Sequence, residues 1–259
     1  VLEYLFTGVD LFFVISGFVF APYFFGKTLS PKAFFVKRLF RIYPLFSVSL
    51  LVYAALKVAN SLEAKYLVTH FLFLYTTESR EIAFYYNPAY WSLPAEVEFY
   101  LFLPAMAYLA RFKRGFVAMF AVALTLHFVI AYRSPLDMQT INNYLVLSVH
   151  LPGLLIEFLL GVIAWKISQS SLSSTARFLM ILTGAAAWFL AAYVFKFYSA
   201  GGGDNVVLND LLRGNVSLLA ALAFAPVVAA MAYLPLHRAL LFKKMCLWHA
   251  TVPTNHEND

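Results

Sequence analysis

The chain has little charge and almost no cysteine. Only 12% of its 259 residues are Asp, Glu, Lys or Arg, about half the share usual in soluble domains. Hydrophobic residues make up 62% of the chain and the mean hydropathy is +0.76, more apolar surface than a soluble globule of this size can bury. The scarcity of charge therefore argues against a cytosolic enzyme, a disordered protein and a fibrous repeat, and favours an integral membrane protein.

Several common motifs are also missing. Cys246 is the single cysteine, so an intrachain disulfide and a CxxC metal site are excluded. The sequence contains no P-loop, GxGxxG or GxSxG motif, and its six histidines form no metal-binding pair. We therefore expect no metal. The net charge of +6 comes mostly from basic residues between apolar runs, which indicates membrane orientation rather than nucleic-acid binding.

Long apolar runs dominate the sequence. Crossing about 30 Å of hydrocarbon takes about 20 mostly apolar residues, and no run alternates as a strand of a membrane β-barrel would. The sequence predicts an all-α, polytopic transmembrane helix bundle of about seven spanning helices, with Tyr66–Thr77 as a short re-entrant or interfacial segment. The predicted spans are Val9–Phe25, Ile42–Ala59, Leu93–Ala110, Phe116–Tyr132, Tyr144–Trp165, Arg177–Phe197 and Val216–Leu234.

The gaps between these spans indicate one transmembrane domain, residues 1–252, followed by a polar tail, residues 253–259. If the gap after the first span is cytoplasmic, cytoplasmic gaps hold 13 of the 19 Lys and Arg residues and the opposite gaps hold 6. This asymmetry follows the positive-inside rule and supports alternation of seven spans. The chain begins at Val1 without signal-peptide features, so we expect it to start inside a longer protein.

Four acidic residues fall within predicted spans, and Asp10 and Glu157 are the two outside the third span. An ionisable side chain at membrane depth costs about 2.5–3.5 kcal/mol on insertion scales, so such residues usually face a polar interior and mark function. Asp10 lies at the start of the first span, where an interfacial position is the alternative, and Glu157 lies inside the fifth. Ser16, in the first span, and His150, just before a Pro-Gly break, are further candidates for lining a cavity.

Two other stretches carry candidate site residues. Arg38 and Arg41 are three positions apart, so on a helix they share one face. Two guanidiniums arranged this way suit a phosphate group, although composition alone favours a positive-inside anchor. Further along the chain, Glu96 and Tyr100 share a face of the third span. Trp91 and Ser92 precede them and Ser92 is a candidate N-cap.

Taken together, these segments resemble acyltransferase family 3, membrane O-acyltransferases that include many O-acetyltransferases of bacterial surface glycans. The resemblance rests on the segments Gly8–Phe18, Arg38–Pro44 (Arg-x-x-Arg-Ile-x-Pro), Trp91–Tyr100 (Trp-Ser-Leu-x-x-Glu), Glu157–Gly161 and, more faintly, Cys246–His249. It implies a fragment that lacks the family's first helix and part of its last. The family's proposed catalytic histidine lies on that first helix, so it is expected upstream of Val1, and the fragment is expected to be inactive alone.

The resemblance implies a multi-pass protein of the bacterial inner (plasma) membrane. It would move an acyl group from cytosolic acyl-CoA to a hydroxyl of a carbohydrate or glycan, and the expected acyl group is acetyl. Arg38 and Arg41 would bind the coenzyme A phosphates, and Asp10 and Glu96 would be the catalytic carboxylates.

Two alternatives stay open at this point. A membrane transporter or flippase would use Asp10, Glu96 and Glu157 as a polar pathway. An inactive scaffold of the same fold would bind no acyl-CoA.

Overall fold

The computed structural model describes residues 2–77, 80–133, 143–199, 212 and 214–232, and these form helices and turns without a strand among them. Seven of the described helices have 16 residues or more, and we label them α1 to α7. They are α1 (Gly8–Phe24), α2 (Pro31–Ala59), α3 (Leu93–Leu109), α4 (Gly115–Arg133), α5 (Leu151–Ser168), α6 (Ser174–Ser199) and α7 (Val216–Met231). The predicted all-α membrane bundle is confirmed.

Five helical segments in the described residues are long and apolar enough to cross a bilayer. They are Tyr4–Phe24, Pro31–Ala59, Gly115–Arg133, Val146–Ser168 and Ser174–Phe197. The other two predicted spans are helical but shorter, since α3 has 17 residues and α7 has 16. At 1.5 Å per residue, each is about 25 Å long. The last two residues of the predicted seventh span and the predicted tail, 253–259, lie outside the described residues.

One predicted boundary was wrong. The second helix begins at Pro31 rather than Ile42, because proline fits the first turn of a helix and the basic residues that follow continue it. Arg38 and Arg41 therefore lie on α2 itself. The predicted Tyr144–Trp165 span corresponds to the spanning segment Val146–Ser168, in which a short helix, Asn143–Ser148, ends before His150 and α5 begins at Leu151.

Close packing of α1 against α5 forms the centre of the bundle. A Cβ added at Gly17 would clash with the backbone carbonyl of Phe158, and one added at Gly161 would clash with that of Val14. Small residues allow this kind of close approach between membrane helices. In the most apolar stretch of the spanning segment that contains α5, 61% of the residues are buried, against 11% in the segment that contains α6. The fifth span is therefore central and α6 is peripheral.

The short Tyr66–Thr77 segment does not form a spanning helix. Only Leu67–Phe71 is helical and the residues after it form turns. The segment is fixed by an aromatic cluster, in which the His70 ring stacks on Tyr75 at 4.3 Å between centroids and Phe73 stacks on Phe46 of α2 at 4.8 Å. These contacts hold the turn after His70 against the bundle.

Candidate functional site

The two predicted arginines lie on one side of α2, facing α1 and α3. The Arg38 guanidinium carbon lies 4.8 Å from the centre of the Phe20 ring of α1 and 5.6 Å from the rings of Phe34 and Tyr100. Its Nε and Nη1 atoms are buried and have no hydrogen-bond partner among the described residues. Arg38 is thus a cation in an aromatic cage with donors still available, while Arg41 is exposed.

Glu96 and Tyr100 of α3 complete this group, which we call the arginine cluster (Arg38, Arg41, Glu96 and Tyr100). The two α3 residues are one helical turn apart, and the Tyr100 hydroxyl donates a hydrogen bond to the buried Glu96 carboxylate. The positive charges of Arg41 and Arg38 act on that same carboxylate. Four predicted site residues from two helices therefore meet at one place.

The other two predicted acids meet at a different place, which we call the acid pair (Asp10 and Glu157). The Asp10 side chain is 2% exposed and Glu157 is fully buried. The carboxyl groups interact with each other, and Asp10 also interacts with Ser217 of α7. Oδ2 of Asp10 and both carboxyl oxygens of Glu157 lack a donor among the described residues. Two carboxyl groups can hydrogen-bond to each other only by way of a proton that one of them carries.

The acid pair and the arginine cluster are separate. Asp10 precedes Phe20, the ring under Arg38, by ten residues on α1, a rise of about 15 Å. Three aromatic rings fill the space between the helices: Phe158 stacks on Phe99 at 4.0 Å and contacts Phe13 at 4.9 Å. The two predicted catalytic carboxylates, Asp10 and Glu96, thus lie in different clusters.

His150 belongs to a third group, which we call the histidine cluster (Thr76, Glu98 and His150). Of these three residues, only His150 was predicted from the sequence as a site residue. His150 Nδ1 lies 2.5 Å from Glu98 Oε1 and donates to it, since a carboxylate can only accept. The other Glu98 oxygen accepts the Leu151 N–H at 2.8 Å. His150 Nε2 lies 2.9 Å from the Thr76 hydroxyl. The cluster ties the turn after His70 to α3 and to the first residue of α5.

Glu98 is the site residue that the sequence analysis missed. It stands two positions from Glu96, so a helix places the two carboxylates on nearly opposite faces of α3. The motif drew attention to Glu96 alone. The sequence did contain a sign of its importance: Glu98 is a second carboxylate in an apolar helix, and capping of the helix N-terminus does not explain its presence.

Three remaining candidates have structural surroundings. Ser16 is buried on α1, and the half-buried Trp91 ring contacts Phe13 edge-on at 6.4 Å between centroids. Ser92 does not cap α3 with its side chain, contrary to prediction. Its backbone is already helical because a short 3₁₀-helix, Pro88–Ser92, leads directly into α3, and its hydroxyl donates to Ala89 at 3.4 Å instead.

No other arrangement in the described part of the chain suggests different chemistry. It contains no group of three or more His, Cys, Asp or Glu residues able to hold a metal. An open apolar groove of about 680 Å³ lies between α1, α6 and α7, and Leu11, Phe18, Trp188 and Val227 are among its lining residues. The groove offers no polar group for catalysis.

One comparison with known proteins gives a match. The family model described as "Acyltransferase domain", acyltransferase family 3, matches residues 5–247. No curated protein and no solved structure matches the chain.

Proposed function

Because this chain belongs to acyltransferase family 3 and is a membrane acyltransferase, we propose that it transfers an acyl group from acyl-CoA to a hydroxyl. The proposed donor is cytosolic acetyl-CoA and the proposed acceptor is a carbohydrate or glycan. The proposed setting is the inner (plasma) membrane of a bacterium.

The observation that carries the proposal is the state of Arg38. Its buried Nε and Nη1 atoms have no partner among the described residues, and leaving buried donors unpaired costs about 1–3 kcal/mol each. A ligand that supplies oxygen acceptors would recover this energy. Phosphate groups match the planar guanidinium fork, and coenzyme A carries three of them. The rings of Phe20, Phe34 and Tyr100 hold the guanidinium in place.

The surroundings of Arg38 support the same ligand. Arg41 adds a second cation on the same side of α2, and its exposure leaves it open to a ligand from solution. The buried Glu96 carboxylate, held by Tyr100, balances part of this positive charge. In the orientation that places more basic residues in the cytoplasm, α2 begins on the cytoplasmic side, where acyl-CoA is available.

The acid pair has a separate proposed role. Asp10 and Glu157 lie about 15 Å along α1 from the arginine cluster, a separation that the extended pantetheine arm of coenzyme A can bridge. A buried carboxylate beside the reacting centre would orient the histidine that the resemblance predicts upstream of Val1. Asp10, nearest the start of the chain, is the carboxylate we assign to that role.

The proposal is tested by Arg38→Ala in the full-length protein, with Lys32→Ala as the matched control. Lys32 is an exposed basic residue on the same helix. We expect Arg38→Ala to insert into the membrane and to lose transfer of labelled acetyl from acetyl-CoA, with Lys32→Ala unaffected. Equal acetyl-CoA KM and transfer rate in wild type and Arg38→Ala would contradict the phosphate-binding role.

The transporter alternative has no support from the family match. It also requires a continuous polar path through Asp10, Glu157 and Glu96. The stacked Phe99 and Phe158 rings and the buried Phe13 stand between those carboxylates instead.

The inactive-scaffold alternative is separated by a ligand-binding measurement. A ligand that binds only the folded protein must raise its thermal stability. A rise in the melting temperature of the purified protein on addition of acetyl-CoA supports the enzyme, and no rise at saturating concentration supports the scaffold.

A further inference from the structure

Resting on the function proposed above, we propose that Glu157 is the positioning residue for Asp10, because its protonated carboxyl group donates a hydrogen bond to the Asp10 carboxylate and holds it in place. The proposed function gives Asp10 the task of orienting the histidine predicted upstream of Val1, but it leaves Glu157 without a role. Glu157 is nonetheless fully buried on α5. An ionisable side chain kept at membrane depth is costly and usually functional.

The register of α1 against α5 brings the two carboxyl groups together. The helices are parallel, because their contacts rise in residue number together on both of them. At their closest approach, a Cβ added at Gly161 of α5 would clash with the Val14 carbonyl of α1. Glu157 and Asp10 each precede these two residues by four positions, which is about one helical turn. Packing of the two backbones therefore holds the acid pair in contact.

The hydrogen-bond donors around the acid pair favour the negative charge on Asp10. Its carboxyl group accepts hydrogen bonds from the Ser217 hydroxyl of α7 and from its own backbone N–H. Its charge also acts on the buried hydroxyl of Tyr4. Hydrogen bonds to the charged form of a carboxyl group stabilise that form. Asp10 is therefore the member of the pair that these surroundings keep ionised.

Glu157 has the opposite surroundings. Its carboxyl group interacts with Asp10, and neither of its oxygens has a donor among the described residues. An ionised Glu157 would thus be a buried anion beside a second anion, which is the most costly arrangement for two carboxyl groups. A protonated Glu157 is neutral and supplies the donor that the contact needs. The proton that joins the two carboxyl groups therefore belongs to Glu157.

A proton on Glu157 prepares Asp10 for its proposed task. A carboxylate has about four lone-pair sites, and the Ser217 hydroxyl, the Asp10 N–H and Glu157 use three of them. One site is left for the N–H of an imidazole. Since the three donors come from α1, α5 and α7, they fix the plane of the carboxylate, and a group that orients a catalytic base must itself be held in this way.

The aromatic rings beside the acid pair favour positioning over onward proton transfer. Phe158 follows Glu157 directly, stacks on Phe99 at 4.0 Å and contacts Phe13 at 4.9 Å between ring centroids. These apolar side chains separate the pair from the arginine cluster. In such surroundings a hydrogen bond is stronger than in water, so the proton stays on Glu157 and the Asp10 carboxylate keeps one orientation.

Infrared difference spectroscopy of the purified full-length protein tests where the proton lies. The C=O stretching band of a protonated carboxyl group lies at a higher frequency than the bands of a carboxylate or an amide. We expect this band to be lost in Glu157→Gln relative to wild type and to be retained in Asp10→Asn. Its retention in Glu157→Gln, or its loss in Asp10→Asn, would place the proton on Asp10 and overturn the proposal.

Kinetics of the same variants test the positioning role. The assay uses membrane vesicles of the source organism that carry the full-length protein and its native acceptor, with labelled acetyl-CoA as the donor probe. Glu157→Met removes the donor and should lower kcat about 100-fold, the cost of misplacing a catalytic group by about 1 Å. The KM for acetyl-CoA should stay unchanged, because the arginine cluster is separate. Glu157→Gln should lower kcat far less, because its amide N–H still donates to Asp10.

A matched control separates loss of the donor from repacking of α5. Ile156→Met changes the neighbouring fully buried side chain of the same helix, and it should transfer acetyl at the wild-type rate. If Glu157→Met fails to insert into the membrane, the infrared comparison of Glu157→Gln with Asp10→Asn still decides the proposal.

Two kinetic outcomes would overturn the proposal. Equal kcat in wild type and Glu157→Met would show that Asp10 needs no partner, and only this inference would fail. A loss in Glu157→Gln as large as that in Glu157→Met would show that the side chain at this position must be ionised. If wild type transfers no acetyl while the infrared band behaves as expected, the proposed function fails and the assignment of the proton to Glu157 stands.

Discussion

The two faces of α3 carry polar clusters of opposite character. On one face, Glu96 and Tyr100 meet two arginines, and Arg38 keeps buried donors that no described residue satisfies. On the other face, Glu98 accepts hydrogen bonds from His150 and from the Leu151 N–H, and the second His150 nitrogen is bonded to Thr76. The first cluster leaves two buried donors without partners among the described residues, whereas the second pairs its polar groups with one another. We therefore expect mutations in the two clusters to divide differently between stability and activity.

The largest effect on stability should come from Glu98→Ala. It leaves both the His150 Nδ1–H and the Leu151 N–H without their acceptor. Leaving a buried donor without its acceptor costs about 1–3 kcal/mol. For two donors beside the partly exposed Glu98, we expect a loss of about 2–4 kcal/mol. Thermal unfolding in detergent measures the loss, and an unchanged melting temperature would show that the histidine cluster does not support the fold.

A second prediction concerns the helix pair that both clusters depend on. Gly17→Ala forces α1 away from the Phe158 carbonyl of α5, which should cost about 1–3 kcal/mol or more. Because α1 supplies Phe20 to the arginine cluster and His150 precedes α5, both clusters should weaken together. Gly8→Ala is the control, since its added methyl group meets no atom within 4 Å. Equal stability of the two variants would mean that the close approach is unimportant.

Arg38→Met should affect stability least of the three substitutions. It removes two buried donors that lack partners in the described residues and places a flexible apolar chain in the same aromatic cage. We expect the melting temperature without ligand to stay level or rise, and the increase caused by acetyl-CoA to disappear. A large fall in the ligand-free melting temperature would place Arg38 with the structural cluster.

The smallest effect should be a pH dependence that comes from His70. Burial lowers the pKa of His70, against a smaller opposing effect of its hydrogen bond to Tyr66. The unfolded chain, with a pKa of about 6.5, therefore binds a proton more readily than the folded protein. The stabilising contribution is complete above that pH and is lost as the pH falls below it. Melting temperatures at pH 7.5 and 5.5 should show that His70→Phe loses less stability in acid than wild type does; an equal loss would contradict this assignment.

Residue spacing alone predicted which residues share a helix face, but not which faces meet. The three-residue and four-residue spacings correctly placed Arg38 with Arg41 and Glu96 with Tyr100. The meeting of these two pairs depends on how α2 packs against α3, which local periodicity does not encode. The Asp10–Glu157 contact likewise depends on the register of α1 against α5, which Gly17 helps to set.

The errors have equally local causes. The basic residues before Ile42 were placed outside the second span because charge lowers hydropathy, although they continue a helix that starts at Pro31. The break before α5 was signalled by Pro152 and Gly153, and the apolar run around it was correctly assigned to one span. Glu98 was passed over because it does not fall on the face that the motif marks.

The length of α2 has a consequence for how the protein responds to its lipids. Its 29 residues extend about 43 Å, more than the ~30 Å thickness of the hydrocarbon layer. A helix that exceeds the bilayer must tilt or project into the headgroups, and Arg38 lies only about 10 Å from the end that would project. Thicker or thinner membranes would therefore raise or lower the guanidinium relative to the water boundary, so acyl-chain length in the surrounding lipid becomes a variable that tunes access to this residue.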